Sequence, residues 1–149
     1  MYGDDTSDGE NYINNYIANN NLDKIVTVNG PIFGKEKEKA LLETDIFIHT
    51  SRLEGQPTSV IEAISYGIPI VVTPGTNMAT TVKDNGLGYV ASPNSKSVFS
   101  CIKEAFNSKN DYEHISKKAI RYAESTFDWD QILQKAIRTY ESIIKEDAC

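Results

Sequence analysis

Apolar positions along the chain alternate between a helical and a strand period. Residues 8–21 carry Tyr12, Ile13, Tyr16 and Ile17 at i, i+1, i+4 and i+5, which predicts an amphipathic helix despite six asparagines. Residues 25–28 are a short run rich in β-branched side chains, closed by Asn29-Gly30-Pro31, and predict a strand and its turn. Residues 35–43 predict a charged helix with Ala40, Leu41 and Leu42 on its inner side. Residues 46–49 predict a second strand ending at Thr50-Ser51, and a loop over 52–56 leads to a helix that begins near Pro57 and closes at Gly67. A third strand follows over 68–72 with its turn at Pro74-Gly75, then a short helix over 79–84 and a last strand over 88–90. Beyond Ser92-Pro93 the pattern is helical throughout, over 96–107, 111–124 and 129–145.

Strands separated by helices predict an α/β fold, a Rossmann-like parallel sheet with right-handed crossovers and helices on both faces. Ligands of such sheets bind outside the carboxyl ends of the strands. That rule points to one rim made of residues 3–5, 30–33, 50–59 and 73–78. No linker, repeat or low-complexity segment interrupts the pattern, so a single domain over 1–149 is expected. Met1-Tyr2 stands before a turn-like Gly3-Asp4-Asp5 with no room for a preceding strand, so the sequence reads as starting at a strand's end.

Composition narrows the function. With 40% hydrophobic and 24% charged residues, the chain is an ordinary globular one. A net charge of −6 argues against a nucleic-acid or anionic-membrane partner, and arginine is scarce: Arg52, Arg121 and Arg138 among fifteen cations. Cys101 and Cys149 have no metal-ligand spacing and read as two reduced thiols. No apolar run reaches the roughly 18–20 residues that span a bilayer. The first ten residues are polar and acidic, unlike a secretory leader, so a cytoplasmic location is expected. His49, at a strand end, and Trp129, Tyr122 and Tyr140, on the last helices, read as structural packing residues.

The segment that carries chemistry is Ser51-Arg52-Leu53-Glu54-Gly55-Gln56-Pro57-Thr58-Ser59-Val60-Ile61-Glu62-Ala63, which joins a strand end to a helix start. Pro57 suits a first helical position, since it lacks an N–H that would be orphaned there. The amides of Thr58, Ser59 and Val60 would then point out of the helix with its positive dipole end behind them, a site for an anion such as phosphate. Glu62 lies one turn further in and leans back toward that end. A carboxylate repels phosphate but accepts hydrogen bonds from a neutral polyol, such as a ribose. Glu54, at the strand end, sits where a sugar could be met. Two plainer readings stand beside these: Glu62 paired with Arg52 or a lysine, and Glu54 as an acid interacting with the helix dipole. A glycoside hydrolase would need two acids facing across a sugar.

Glu54 and Glu62, eight positions apart, with Glu-Gly-x-Pro-Thr-Ser between them and Glu62-Ala63-x-x-x-Gly67-x-Pro69 following, resemble the signature of retaining glycosyltransferases of the GT-B fold, in the large family four. Gly3-Asp4-Asp5, the 25–30 strand and turn, Thr44-Asp45-Ile46-Phe47-Ile48, Asn85-Gly86-x-Gly88 and Phe127-x-Trp129 are similar to further elements of that family, in the same order. The resemblance implies the C-terminal, donor-binding half of such an enzyme, without its opening strand and helix and without the N-terminal domain that meets the acceptor. It implies that Glu62 binds the donor ribose and that Glu54 contacts the transferred hexose-type sugar. It assigns Gly55, Gln56, Pro57, Thr58, Ser59 and Val60 to the sugar and diphosphate, and places Gly30, Pro31 and Ile32 near the base. The commoner Phe-Gly of the loop is replaced by Gln56-Pro57. The Arg and Lys that neutralise the family's diphosphate have no counterpart in this chain.

The implied reaction passes a sugar from a nucleotide diphosphate to a glycan or lipid-linked acceptor in cell-surface polysaccharide synthesis. No cofactor or metal is implied, and no Asp-x-Asp is expected to hold one. At most, peripheral membrane association of a full-length protein follows. Two other readings remain. One is a stand-alone, non-catalytic nucleotide-sugar-binding subunit. The other, a flavodoxin-like receiver suggested by Asp4-Asp5, lacks an aspartate at the end of its central strand, where His49-Thr50-Ser51 stands.

Overall fold

A computed structural model describes residues 1–3 and 9–146, in two compact units, Met1–Leu42 and Glu43–Cys149. In the first unit, Tyr2 bridges Asn29 in parallel, and the Asn29 amide donates to the Met1 carbonyl at 2.8 Å. The N-terminal ammonium donates to the Thr27 carbonyl at 2.5 Å. The Tyr2–Asn29 pairing is an isolated bridge and not part of a strand; Asp4 and Asp5 lie outside the described residues. The expected strand over 25–28 is corrected to a turn and a single bridge. The amides of Ile25 and Val26 both donate to the Leu22 carbonyl, at 3.0 and 2.9 Å, and Ile25 is exposed. β-branched residues form a strand only where a neighbour supplies ladder bonds, and here the described partner is a single short segment.

Two helices complete this unit, α1 (Gly9–Asn19) and α2 (Gly34–Leu42). On α1, Ile17 is buried and Ile13 half-buried, while Tyr12 and Tyr16 are exposed. On α2, Leu41 is buried but Leu42 is exposed, contrary to the expected inner row. Three consecutive helical residues span about 200° of the circumference, more than one buried face covers.

The second unit holds β1 (Phe47–His49), α3 (Thr58–Ser65), β2 (Ile70–Val72), α4 (Ala79–Asn85), β3 (Gly88–Val90), α5 (Ser95–Asn107), α6 (Tyr112–Thr126) and α7 (Trp129–Glu146). Its sheet has the order β1-β2-β3 and is parallel throughout, with Phe47 opposite Ile70 and Ile70 opposite Gly88. Ile70, Val71 and Val72 are wholly buried, so both faces of β2 are covered. Val71 packs with Ala91, Cys101 and Ala105 on the α5 side. The pleat sends Ile70 and Val72 the other way, where α3 and α4 contact the strand. Burying each such side chain is worth about 1.5–3 kcal/mol.

Local chemistry sets the element ends. Gly67, at φ +70°, closes α3: its amide donates to the Ile64 carbonyl at 2.9 Å, and the Ile68 amide donates to the Ala63 carbonyl at 3.0 Å. Those bonds shorten the third strand from the expected 68–72 to Ile70–Val72, since the Ile68 amide is spent and Pro69 has none. Asn94 caps α5, its side chain accepting from the Ser97 amide at 2.9 Å.

The aromatic residues of α7 depart from the expected packing: Trp129 and Tyr140 are exposed. Tyr122 instead meets Phe127 edge-to-face, with ring centroids 5.7 Å apart. The polar row Gln131, Lys135, Arg138 and Ser142 lines a depression with Ser125 of α6, which leaves the apolar row of α7 to solvent. No helix among the described residues is long and apolar enough to cross a membrane.

Candidate functional site

The loop between β1 and α3 carries the signature carboxylates. Pro57, buried at φ −72° and ψ 110°, is the N-cap of α3 rather than its first helical residue. Its carbonyl accepts from the Val60 amide at 3.1 Å and the Ile61 amide at 3.3 Å. The Val60 amide is therefore engaged, contrary to the expected trio of free donors. Proline has no side-chain acceptor, so the amides of Thr58 and Ser59 donate to nothing among the described residues. Two donors and a positive dipole end remain at the helix start.

Glu62 is half-buried on α3, between Ile61 and the wholly buried Ala63. Arg52 is exposed, on the loop that precedes the helix. Glu54 lies ahead of the cap and is held from β1 instead of serving the dipole. Its Oε1 lies 3.5 Å from Nε2 of His49 and accepts from the Ser51 hydroxyl at 3.3 Å. The His49 ring stacks on Phe47, 6.4 Å between centroids and 7° from parallel.

A second rim segment, the turn after β2, braces this loop. The Thr73 hydroxyl donates to the Ser51 carbonyl at 2.6 Å. Asn77, left-handed at φ 56°, donates from its side-chain amide to the Gly55 carbonyl at 2.9 Å. Between them, Gly75 lies so close to the backbone of Ser51 and Arg52 that a Cβ would collide with it. The buried Thr76 hydroxyl donates to the Thr73 carbonyl at 2.8 Å, fixing the turn itself. The expected rim is thus assembled for 50–59 and 73–78. Gly30, Pro31 and Ile32 lie in the other compact unit, the first two exposed and the third half-buried.

Ser51, Thr73 and Asn77 fall within the expected rim without a role assigned to them, and His49, expected as a packing residue, lies beside Glu54. The turn signal at Pro74-Gly75 was readable, but its contact with a loop about twenty residues earlier was not. An Asp-x-Asp does occur, at Asp128-Trp129-Asp130, contrary to expectation. Asp128 is spent on the start of α7, where its Oδ1 accepts from the Gln131 amide at 3.1 Å. No group of three or more His, Cys, Asp or Glu side chains among the described residues could hold a metal ion.

Solved structures share this fold. Over 97% of this chain and 37% of theirs, the sucrose-phosphate synthase of Thermosynechococcus elongatus is similar at a TM-score of 0.80 and 19% identity. The HepE protein of Anabaena, crystallised with UDP, is similar at 0.79 and 22%, over 95% of this chain and 40% of that one. A glycosyltransferase of Rickettsia africae gives 0.80 and 22%, over 97% and 39%. These are GT-B glycosyltransferases, and the chain spans about two fifths of their length. No curated protein matches the sequence. The family model described as glycosyl transferases group 1 matches residues 1–122, most of the chain, and the chain belongs to that family.

Proposed function

We infer that this chain is the donor-binding part of a retaining glycosyltransferase, which passes a hexose-type sugar from a nucleotide diphosphate to a glycan or lipid-linked acceptor in cell-surface polysaccharide synthesis. The observation that carries this reading is the β1–α3 junction: Glu54 before a side-chain-free cap, two unused amides at the helix start, and Glu62 one turn in. In this reading the amides of Thr58 and Ser59 take the diphosphate. Gly55, Gln56 and Pro57 shape the sugar end, and buried Val60 supports the helix start by packing. Glu62 accepts from the ribose hydroxyls, Glu54 meets the transferred sugar, and Gly30, Pro31 and Ile32 lie near the base. The Anabaena relative, solved with UDP and with UDP-glucose, supports a donor of this class.

Departure of the diphosphate leaves positive charge on the sugar and negative charge on the phosphate. Preorganised amides aimed at the leaving group lower the barrier without reorganising. The leaving diphosphate, on the acceptor's face of the sugar, takes up the acceptor's proton, which gives retention. The chain uses no metal in this scheme. Titration with uridine, guanosine and adenosine diphosphates, following the amide resonances of Thr58 and Ser59, tests the assignment. One nucleotide is expected to shift both, and no shift with any of them would remove the reading. The chain by itself is expected to transfer no sugar from UDP-glucose. Robust turnover would show that it is more than a donor-binding part.

A further inference from the structure

We propose that His49 is a positioning residue for Glu54, a role that rests on the sugar-contacting part given to Glu54 above. Both polar contacts of the Glu54 carboxylate among the described residues fall on one oxygen. Nε2 of His49 lies 3.5 Å from Oε1, and the Ser51 hydroxyl, whose one proton is shared with the Leu53 carbonyl at 3.3 Å, lies 3.3 Å from the same atom. The second oxygen, Oε2, has no protein partner among the described residues, and the side chain is 39% exposed. A carboxylate tethered through one oxygen presents the other in a fixed direction, already oriented to accept from a ligand hydroxyl. An untethered glutamate pays rotamer entropy to do the same.

The tether is itself held. His49 sits on β1, in register with buried Val72, and its ring is stacked on Phe47. Ser51 is fixed through its carbonyl by Thr73, and Gly55, the residue after Glu54, is fixed by Asn77. Glu54 is therefore pinned on both sides along the backbone and at one oxygen of its side chain. The imidazole supplies an N–H donor in one neutral tautomer and a charge-assisted one when protonated. Phenylalanine preserves the stack on Phe47 and removes the donor. Glutamine places an amide nitrogen close to where Nε2 stands.

The test compares UDP with UDP-glucose as ligands of the full chain, by calorimetry or amide shifts, in wild type, His49→Phe, His49→Gln and Glu54→Gln. The wild type is expected to bind UDP-glucose more tightly than UDP. His49→Phe should shrink that preference by about fivefold with UDP affinity unchanged, and His49→Gln should restore it. Thermal midpoints of the two His49 variants should agree, which separates positioning from packing. If ring replacement unfolds the chain, His49→Asn, whose amide is too short to reach Oε1, carries the same expectation. An unchanged preference in the donor-less variant, beside a reduced one in Glu54→Gln, overturns the role of His49 alone. Equal affinity of the wild type for both ligands, or no effect of Glu54→Gln, removes the sugar contact of Glu54 and His49 with it. No binding of UDP at all removes the proposed function as well.

Discussion

At the scale of single residues, the site depends on close approach as much as on charge. Gly75 is the clearest case, because a side chain there meets the main chain of Ser51 and Arg52, which has no room to yield. Gly75→Ala should destabilise the chain by about 2–4 kcal/mol, read from urea unfolding, and should loosen the Glu54 loop before the sheet. In a full-length parent, Glu54→Gln should lower turnover far more than nucleotide affinity. An equal loss of both would place Glu54 on the nucleotide rather than the sugar. Cys101 behaves differently. Burial, and secondarily the charge of Glu104, push its thiol up from the ordinary range, so little thiolate forms at neutral pH. Alkylation of Cys101 by iodoacetamide at pH 8, followed on its own peptide by mass spectrometry, should be slow in the native chain and fast in urea; rapid native labelling of Cys101 would mean that the α5 core opens readily.

At the scale of elements, what is local was legible and what needs a neighbour was not. The stop of α3 at Gly67 and that of α4 at Gly86 follow from glycine's access to the left-handed region, and both glycines adopt it. Gly67 has a second constraint that only packing reveals, since a Cβ there would meet the Ser116 hydroxyl of α6. Gly67→Ala should therefore cost more than Asn94→Ala, which removes one cap at about 1 kcal/mol; comparing the two melting temperatures checks the order. The strand over 25–28 failed for the opposite reason. Its β-branched residues satisfy a propensity, but strand formation requires ladder partners, which the pattern does not supply. The same lack of context hid the brace on the Glu54 loop. Thr73 and Asn77 are unremarkable turn residues until the sheet register brings their turn beside Ser51 and Gly55.

At the scale of the whole molecule, α7 is the element whose burial is least accounted for within its unit. Trp129, Leu133, Ile137, Tyr140 and Ile144 share one face and are all exposed. Contiguous apolar surface of this kind binds hydrophobic probes and promotes association. Leu133→Glu combined with Ile137→Glu should reduce dye binding and self-association, measured by fluorescence and light scattering, without lowering the melting temperature of the sheet. A lowered melting temperature would mean that this face is part of the core. The sequence by itself determined the α/β alternation, the parallel order of helices and strands in the second unit, the closure of α3 and the Glu54–Glu62 spacing. Each of these is written in local periodicity, cap chemistry or a contiguous motif. Tertiary structure alone decided two things: that the turn after β2 braces the Glu54 loop through Thr73 and Asn77, and that the apolar face of α7 is left open. These depend on which surfaces the folded chain brings together, and no spacing along the sequence encodes that distance.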